Sequence, residues 1–298
     1  MNTKKIIPLT YDFMFKALFG NEKNINILIR LLGDYFNIEY EKLKGKIKIL
    51  NSELIKNDKY DKKKSVDVII ELNEKEIINI EMNANNNYPG LKERNTAYIC
   101  KIYSEQYITN EEYYKTKKCI QINFNNFGIT KKKKKKVVYK LRDEENKDTL
   151  TENLEIHHID MEYINKVCYN EITKEKLDKW IKIMKAEDIE ELRRRSDFME
   201  EEGKMLVDEV ERLSSDEHII GLYDGELHEK KVRRSIINYE VEKGIQKGIQ
   251  KGIKQGVEQS KKEIILNMLK NNIEPEMISL YTNVSIDKII KIKNENSL

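Results

Sequence analysis

The segment VDVIIELNEKEIINIEMN, residues 66–83, constrains the fold more than any other part of the chain. Apolar and polar residues alternate on both sides of residues 73–75, and three residues are a common length for a β-hairpin loop. This loop predicts a register that pairs only apolar residues on one face: Ile70 with Ile78, Val68 with Ile80, and Val66 with Met82. A slip of one residue would bury polar side chains, so the pattern itself selects this register.

The same register brings two acidic residues together on the opposite face of the hairpin. Asp67 lies across from Glu81, and Asn83 follows two residues later on the same face. Directly opposed residues have Cβ atoms about 4.5–5.5 Å apart, a separation at which like charges repel. A hard cation such as Mg²⁺ would offset the repulsion, because it binds carboxylate oxygens and keeps waters that a phosphate can displace. The alternative is that both side chains point into solvent from an exposed sheet face.

The rest of the chain divides into a mixed α/β part and a helical part. Strand-like alternation recurs between residues 46 and 159, and helical spacing predicts short helices within residues 11–36 and a longer one over residues 91–108. From about residue 170, helical spacing alone remains. The expected domains are an α/β domain (1–165), a helical extension (166–240), a glycine-repeat helix or linker (241–258) and a small helical module (259–298).

Residues 243–258 read KGIQKGIQKGIKQGVE, which is a four-residue repeat. In a helix, this spacing places the glycines in one stripe and the aliphatic residues in an adjacent stripe: Ile245, Ile249, Ile253 and Val257. The four glycines cost such a helix about 4 kcal/mol relative to alanine, and close packing against a second copy would offset that cost. Two interpretations remain open, a homo-oligomer formed through this stripe and a flexible linker.

Charge and cysteine content narrow the functional classes. The chain has 55 Lys and Arg against 52 Asp and Glu, and the net charge of +3 is too small to indicate nucleic-acid binding by itself. One basic block, residues 131–136, is either a solvated loop or a phosphate-binding segment. Three widely spaced cysteines and the lack of an apolar signal segment predict a cytoplasmic protein. No stretch approaches the roughly 18–20 apolar residues of a membrane span.

An ordered set of motifs resembles the PD-(D/E)XK nuclease superfamily and, more specifically, its family of transposases and recombination-promoting nucleases. The motifs are YDFMFKALFG at residues 11–20, NSE at 51–53, VDV at 66–68, NIEMN at 79–83, the helix residues Arg94 and Tyr98, and LEIHHIDM at 154–161. The likeness extends over nearly the whole chain. It implies a restriction-endonuclease-like α/β core with an α-helical C-terminal extension, and a Mg²⁺-dependent endonuclease that acts on DNA in recombination or transposition.

By this resemblance, Asp67 and Glu81 are the metal-binding catalytic acids and Asn83 occupies the third motif position. The superfamily has lysine there, and this family often has glutamine, whereas asparagine is short and neutral and can only orient water or phosphate through its amide. Two other interpretations therefore stay open. One is a degenerate relative that binds DNA without cutting it, and the other is an oligomeric scaffold built on the glycine repeat.

Several further residues are candidates for supporting metal binding or for binding DNA phosphates. Asp12 and Glu53 are candidate additional acids, although a helix cap or a surface charge explains each of them equally well. Lys16 or Arg94 would have to supply the cation that Asn83 lacks. The candidates for binding DNA phosphates are Lys16, Arg94, Lys131, Lys132 and Lys133.

Overall fold

The computed structural model describes residues 3–52, 66–84, 90–109, 112–128, 134–163 and 175–296. The chain forms two compact units, Met1–Asp224 and Gly225–Leu298. The four domains expected from the sequence stay a prediction. None of the helices in the described residues combines the length and the apolar character that a membrane span needs.

The first unit is built on a mixed sheet of six strands in the order β1-β2-β3-β4-β6-β5. The strands are β1 Ile47–Ile49, β2 Val68–Leu72, β3 Glu76–Asn83, β4 Lys118–Asn125, β5 Lys136–Arg142 and β6 Thr149–Asp160. Strands β3, β4 and β6 are parallel to one another, and the other neighbouring strands are antiparallel.

The helices of the described residues surround this sheet or follow it in the chain. They are α1 Asp12–Phe19, α2 Ile25–Phe36, α3 Tyr40–Leu43, α4 Leu91–Glu105, α5 Lys176–Met184, α6 Ile189–Ser196, α7 Glu201–Leu213, α8 Glu217–Lys270, α9 Pro275–Thr282 and α10 Ile286–Glu295. Helix α4 lies between β3 and β4 in the chain, because two parallel strands cannot be joined by a tight turn.

The two faces of the sheet pack against different helices. One face forms the main hydrophobic core with α1, α2, α5, α6 and α7. Its largest fully buried side chains are Trp180, Phe15, Phe19 and Phe124. The opposite face packs against α4 through a smaller cluster that includes Ile77 of β3 and Ile99 of α4. The residue alternation of each strand therefore divides its side chains between two different interiors.

The β2–β3 hairpin has the register that its sequence predicts. The turn occupies residues 73–75, and Leu72 pairs with Glu76 at its base. The apolar pairs Val68–Ile80 and Ile70–Ile78 are both present, and their side chains all belong to the main core. The expected α/β class with a helical C-terminal region is confirmed.

One predicted pair, Val66 with Met82, is wrong. Strand β2 begins at Val68, and the side chain of Val66 packs in the smaller cluster on the α4 side of the sheet. The chain bends at Asp67, whose carboxylate accepts a hydrogen bond from the backbone N–H of Met82 at 2.7 Å. The carbonyl of Val66 accepts one from Lys16 Nζ at 3.4 Å. Two side chains thus bind the backbone groups that the strand pairing would have joined.

The second unit consists of most of α8 together with α9 and α10. Its small core is formed by Ile265, Leu269, Ile278, Ile289 and Ile292. Pro275 lies in the first turn of α9, where its missing N–H costs nothing. The glycine repeat at residues 243–258 is helical along its whole length, within α8.

A charged cluster joins the central strands to the edge strand β5. Glu155 accepts hydrogen bonds from Lys118 Nζ at 2.7 Å and Lys140 Nζ at 2.9 Å, and His157 Nε2 lies 2.9 Å from its other oxygen. Tyr35 completes the cluster, with its hydroxyl 2.7 Å from His157 Nδ1. Burial raises the pKa of the Glu155 carboxyl, but the hydrogen bonds from Lys118, Lys140 and His157 outweigh it and lower the pKa to about 2. The folded protein therefore favours the ionised form of Glu155.

Replacing Glu155 with glutamine should cost stability at neutral pH and little near pH 2. Because folding lowers the pKa of Glu155, its contribution is complete above the ordinary pKa of 4.5 and is lost as the pH falls toward 2. The measurement is the urea midpoint of the wild type and of Glu155→Gln across this range. The difference between the two proteins should shrink below pH 4.5. A difference that stays constant would contradict the assigned charge interaction.

Candidate functional site

The two acids predicted to bind metal lie together, one before β2 and the other near the end of β3. The backbone N–H of Asp67 donates to Glu81 Oε1 at 3.4 Å, and the carboxylate of Asp67 accepts from Met82, the residue after Glu81. Glu81 is only 4% exposed, and Asp67 is half-buried. The hairpin therefore holds both carboxyl groups at one site. That they bind a metal stays a prediction.

Burial raises the pKa of both carboxyl groups, and repulsion from Glu81 raises that of Asp67 further. For Asp67, burial is the largest cause and the charge of Glu81 adds to it, while the charge of Lys16 acts in the opposite direction. For Glu81, burial again raises the pKa most, and a hydrogen bond from Asn79 and the charge of Arg94 lower it. Two buried groups that resist ionising together are a suitable site for a cation, because an adjacent positive charge favours the ionised form of both.

Two of the candidate phosphate-binding residues reach the acidic pair. Lys16 of α1 bonds to the carbonyl of Val66, and its charge lowers the pKa of both acids. Arg94 of α4 donates from Nη2 to Asn83 Oδ1 at 2.7 Å, and its charge acts on Glu81. The third motif position is thus a neutral amide with a guanidinium bound to it.

The remaining predicted residues are divided between this site and parts of the chain outside the described ranges. Asp12 is exposed at the start of α1, where its carboxylate accepts from the N–H of Phe13 at 2.7 Å, and its charge raises the pKa of Asp67. It therefore binds a backbone N–H in the first turn of α1 and is also a neighbour of the acidic pair. Four residues lie outside the described ranges: Glu53, Lys131, Lys132 and Lys133.

Asp12 is close enough to raise the pKa of Asp67, but within the described residues it does not join the acidic pair in a metal-binding group. Among the residues that the structure describes, no group of three or more His, Cys, Asp or Glu side chains could hold a metal ion. Mg²⁺ needs no larger protein set, because it is often bound through one or two carboxylates and keeps water or substrate phosphate in its other positions. Asp67 and Glu81 therefore fit Mg²⁺ better than they fit a metal that needs a complete protein cage.

Polar side chains continue from Glu81 across the neighbouring strand. Strands β3 and β4 pair in parallel, and their polar residues lie side by side: Asn79 with Gln121, Glu81 with Asn123, and Asn83 with Asn125. These six side chains, here called the polar ladder, are at most 5% exposed. Because the alternate residues of the same strands enter the main core, the ladder lies on the α4 side of the sheet.

Hydrogen bonds connect the polar ladder from α4 to β6. Asn83 receives the bond from Arg94 and donates from Nδ2 to Asn125 Oδ1 at 3.1 Å. The amide of Asn125 in turn lies 3.4 Å from His158 Nδ1. Burial lowers the pKa of His158 to about 4, so its imidazole is neutral at physiological pH. The guanidinium beside the acids is thus linked to the third parallel strand through neutral groups only.

The sequence prediction does not include the β4 half of the polar ladder. A signal for it exists, because CIQINFN at residues 119–125 alternates in the same way as IINIEMN at residues 77–83. Each pattern by itself predicts a strand with one polar face. Only the pairing of the two strands shows that the polar faces join into one buried layer.

Comparison with known proteins identifies a family for this arrangement. The sequence model of the PD-(D/E)XK nuclease family transposases matches residues 9–240, well over half of the 298-residue chain. The match includes the acidic pair, the polar ladder and α4. No curated protein and no solved structure matches the chain.

Proposed function

Because the chain belongs to the PD-(D/E)XK nuclease family of transposases, we propose that it is a Mg²⁺-dependent DNA endonuclease acting in recombination or transposition. The observation that carries this proposal is the convergence of the buried Glu81 and the half-buried Asp67 with two cations, Lys16 and Arg94. Carboxylate oxygens suit a hard metal ion, and a lysine and an arginine suit a phosphate. We also propose the cytoplasm as its compartment, from the cysteine pattern.

At this site two residues would bind the metal and a third would hold one of them in position. Asp67 and Glu81 would hold Mg²⁺ through their carboxylate oxygens, since a cation would offset the burial that raises both pKa values and the repulsion that raises that of Asp67. When bound, Mg²⁺ would polarise a phosphoryl oxygen and lower the pKa of an attacking water. Asn79 would hold Glu81 in place through the hydrogen bond from Nδ2 to Oε1, which is 3.1 Å long.

The protein's own cationic and amide groups would bind and orient the DNA backbone. Arg94 and Lys16 would contact non-bridging phosphate oxygens, and the lysines at residues 131–133 would add further phosphate contacts. Asn83 would orient the attacking water or the phosphate through its amide. Its contact with Arg94 supplies, at the third motif position, the positive charge that a lysine would otherwise carry. This contact supports activity in spite of the substitution.

A second candidate function is DNA binding without cleavage. Asn83 favours it, because a neutral amide cannot stabilise the developing phosphate charge as a lysine does, and its carbonyl oxygen is already bound to Arg94. In this alternative, the same cations bind the DNA backbone while the acidic pair supports no hydrolysis.

Nicking of supercoiled plasmid in Mg²⁺ tests the nuclease proposal. Asp67→Asn and Glu81→Gln should each lower the nicking rate by about 100-fold or more, because each removes a charged metal ligand while keeping the side-chain shape. Glu71→Gln is the matched control: it changes the same hairpin, but Glu71 pairs with Lys117 and not with the acidic pair. Its nicking rate should equal that of the wild type.

The outcomes of this assay separate the candidate functions. Nicking that survives both substitutions would contradict the metal site. A wild type that does not nick but binds DNA with strong salt dependence supports the non-cleaving alternative. A wild type that does neither leaves the oligomeric scaffold as the remaining interpretation.

We further propose that residues 243–258 of α8 pair with a second copy of the chain. The aliphatic stripe of this segment is exposed, from 52% for Val257 to 63% for Ile253. The positions beside its four glycines are also open: a methyl group added at Gly244 or Gly248 would have no neighbouring atom of the described chain within 4 Å. Pairing would bury the stripe and offset the cost of the glycines.

Light scattering of the full chain tests this pairing. Ile249→Lys combined with Ile253→Lys should halve the measured mass, because it places charges in the centre of the stripe, which pairing would bury. Gln246→Lys combined with Gln250→Lys adds the same charge at the same spacing beside the stripe and should leave the mass unchanged. A wild type that is monomeric, or an oligomer that survives the isoleucine substitutions, would contradict the pairing.

A further inference from the structure

Four buried polar atoms beside the acidic pair lack a hydrogen-bond partner within the described part of the chain. They are Asn79 Oδ1, Gln121 Oε1 and both amide atoms of Asn95. The three side chains are 0 or 1% exposed. Each such atom destabilises the folded protein if nothing binds it, and buried polar atoms in native proteins are almost always bound to protein or to ordered water. Four of them in one layer therefore point to a bound ligand.

The three side chains lie at the same level between α4 and the sheet. Asn79 and Gln121 are paired residues of β3 and β4. Ile99 of α4 packs in one cluster with Ile77, two residues before Asn79. Asn95 precedes Ile99 by four residues, or about 6 Å along the helix, and two strand residues extend about 6.6 Å. Since α4 returns between two parallel strands, it runs antiparallel to them, and Asn95 therefore lies opposite Asn79 and Gln121.

The chemistry of the unpaired atoms decides which ligand fits. Three of them are amide oxygens, which accept hydrogen bonds, and the fourth is the amide nitrogen of Asn95, which donates. A metal cation would bind the oxygens but would leave the hydrogens of Asn95 facing a positive charge. Water donates two hydrogen bonds and accepts two, so it satisfies both kinds of atom.

We propose that Asn79, Asn95 and Gln121 form a buried water site that helps to hold the Asn79 amide against Glu81. Nδ2 of Asn79 donates to Glu81 Oε1, while Oδ1 of the same amide is the atom left for water. If the amide were reversed, its oxygen would face the carboxylate and repel it. The carboxylate thus selects the orientation of the Asn79 amide, and the water binds the Oδ1 atom that this orientation leaves without a partner, which makes the three amide residues positioning residues.

The water site itself is tested by a crystal structure of the full chain at a resolution that shows ordered water. We expect density within about 2.7–3.2 Å of Asn95 and of Asn79 or Gln121. Direct bonds among the three amides without such density would overturn the proposal. Crystals soaked in a rubidium salt provide the second arm, because an anomalous peak at this position would assign a cation in place of water.

The positioning role rests on the proposed function and needs a separate test. Asn95→Leu fills the site with an apolar side chain of similar size, and the affinity for Mn²⁺ measured by calorimetry should fall about 10-fold. Asn95→Ser leaves room for water and a polar group, and should restore most of the affinity. Ile99→Leu, one turn away on the same helix face, is the control and should change nothing.

Three results would separate the failure of this inference from the failure of the proposed function. An unchanged Mn²⁺ affinity in Asn95→Leu would overturn the positioning role. An equal loss of affinity in Asn95→Ser and Asn95→Leu would also overturn it, since packing and not water would then control the acids. Ordered water at the amides of a wild type that binds no Mn²⁺ would support the water site and count against the metal-dependent function alone.

Discussion

The parallel pairing of β3 with β4 is the constraint on which the rest of the structure depends. Both strands alternate over residues 78–83 and 120–125, and the apolar side chains of these segments, such as Ile80 and Ile122, are buried in the main core. Burial of those side chains fixes the register, because a slip of one residue would exchange the two faces. The polar ladder is consequently held against α4 and cannot turn to solvent. Glu81 is thus held where a carboxylate would not be stable without a partner.

The second acid reaches this layer through a departure from strand geometry. Val66 leaves the hairpin face that its sequence pattern suggests and packs on the α4 side. The backbone N–H of Met82 is then bound by the carboxylate of Asp67, and the carbonyl of Val66 is bound by Lys16. Buried backbone groups need partners, and here the partners are side chains of the candidate site. The bend before β2 and the grouping of charged residues at the site are therefore the same structural feature.

The sequence predicts the parts of this arrangement that depend on local patterns. Alternation within one short segment predicts the hairpin loop and the proximity of the two acids. It also predicts the pairs Val68–Ile80 and Ile70–Ile78. Val66 could not be placed in this way, since an aliphatic residue suits either interior of a two-sided sheet. Gln121 and Asn125 could not be assigned to the site either, because no local pattern shows which distant strand lies beside β3. The unpaired amide of Asn95 becomes visible only once α4 is packed on that strand.

Resemblance to a family added what the patterns lack, namely roles for the acids and for the third motif position. The structure modifies the picture at Asn83. Asn83 stands where the superfamily has lysine, and Arg94 of α4 donates a hydrogen bond to it. A guanidinium is always charged and binds phosphate oxygens in pairs, so the substitution moves the positive charge from the strand to the helix. The acidic pair, and the cation that we propose it binds, remain the centre of the account.

The free energy of unfolding in mildly alkaline buffer, with and without Mg²⁺, tests most directly whether the acidic pair binds a cation. In EDTA, the free energy of unfolding of Glu81→Gln should exceed that of the wild type by about 1–2 kcal/mol. Glutamine keeps an acceptor for Asn79 and removes the repulsion with Asp67. Mg²⁺ should then stabilise the wild type and leave Glu81→Gln nearly unchanged. A wild type that is the more stable protein in EDTA and does not respond to Mg²⁺ would contradict the account.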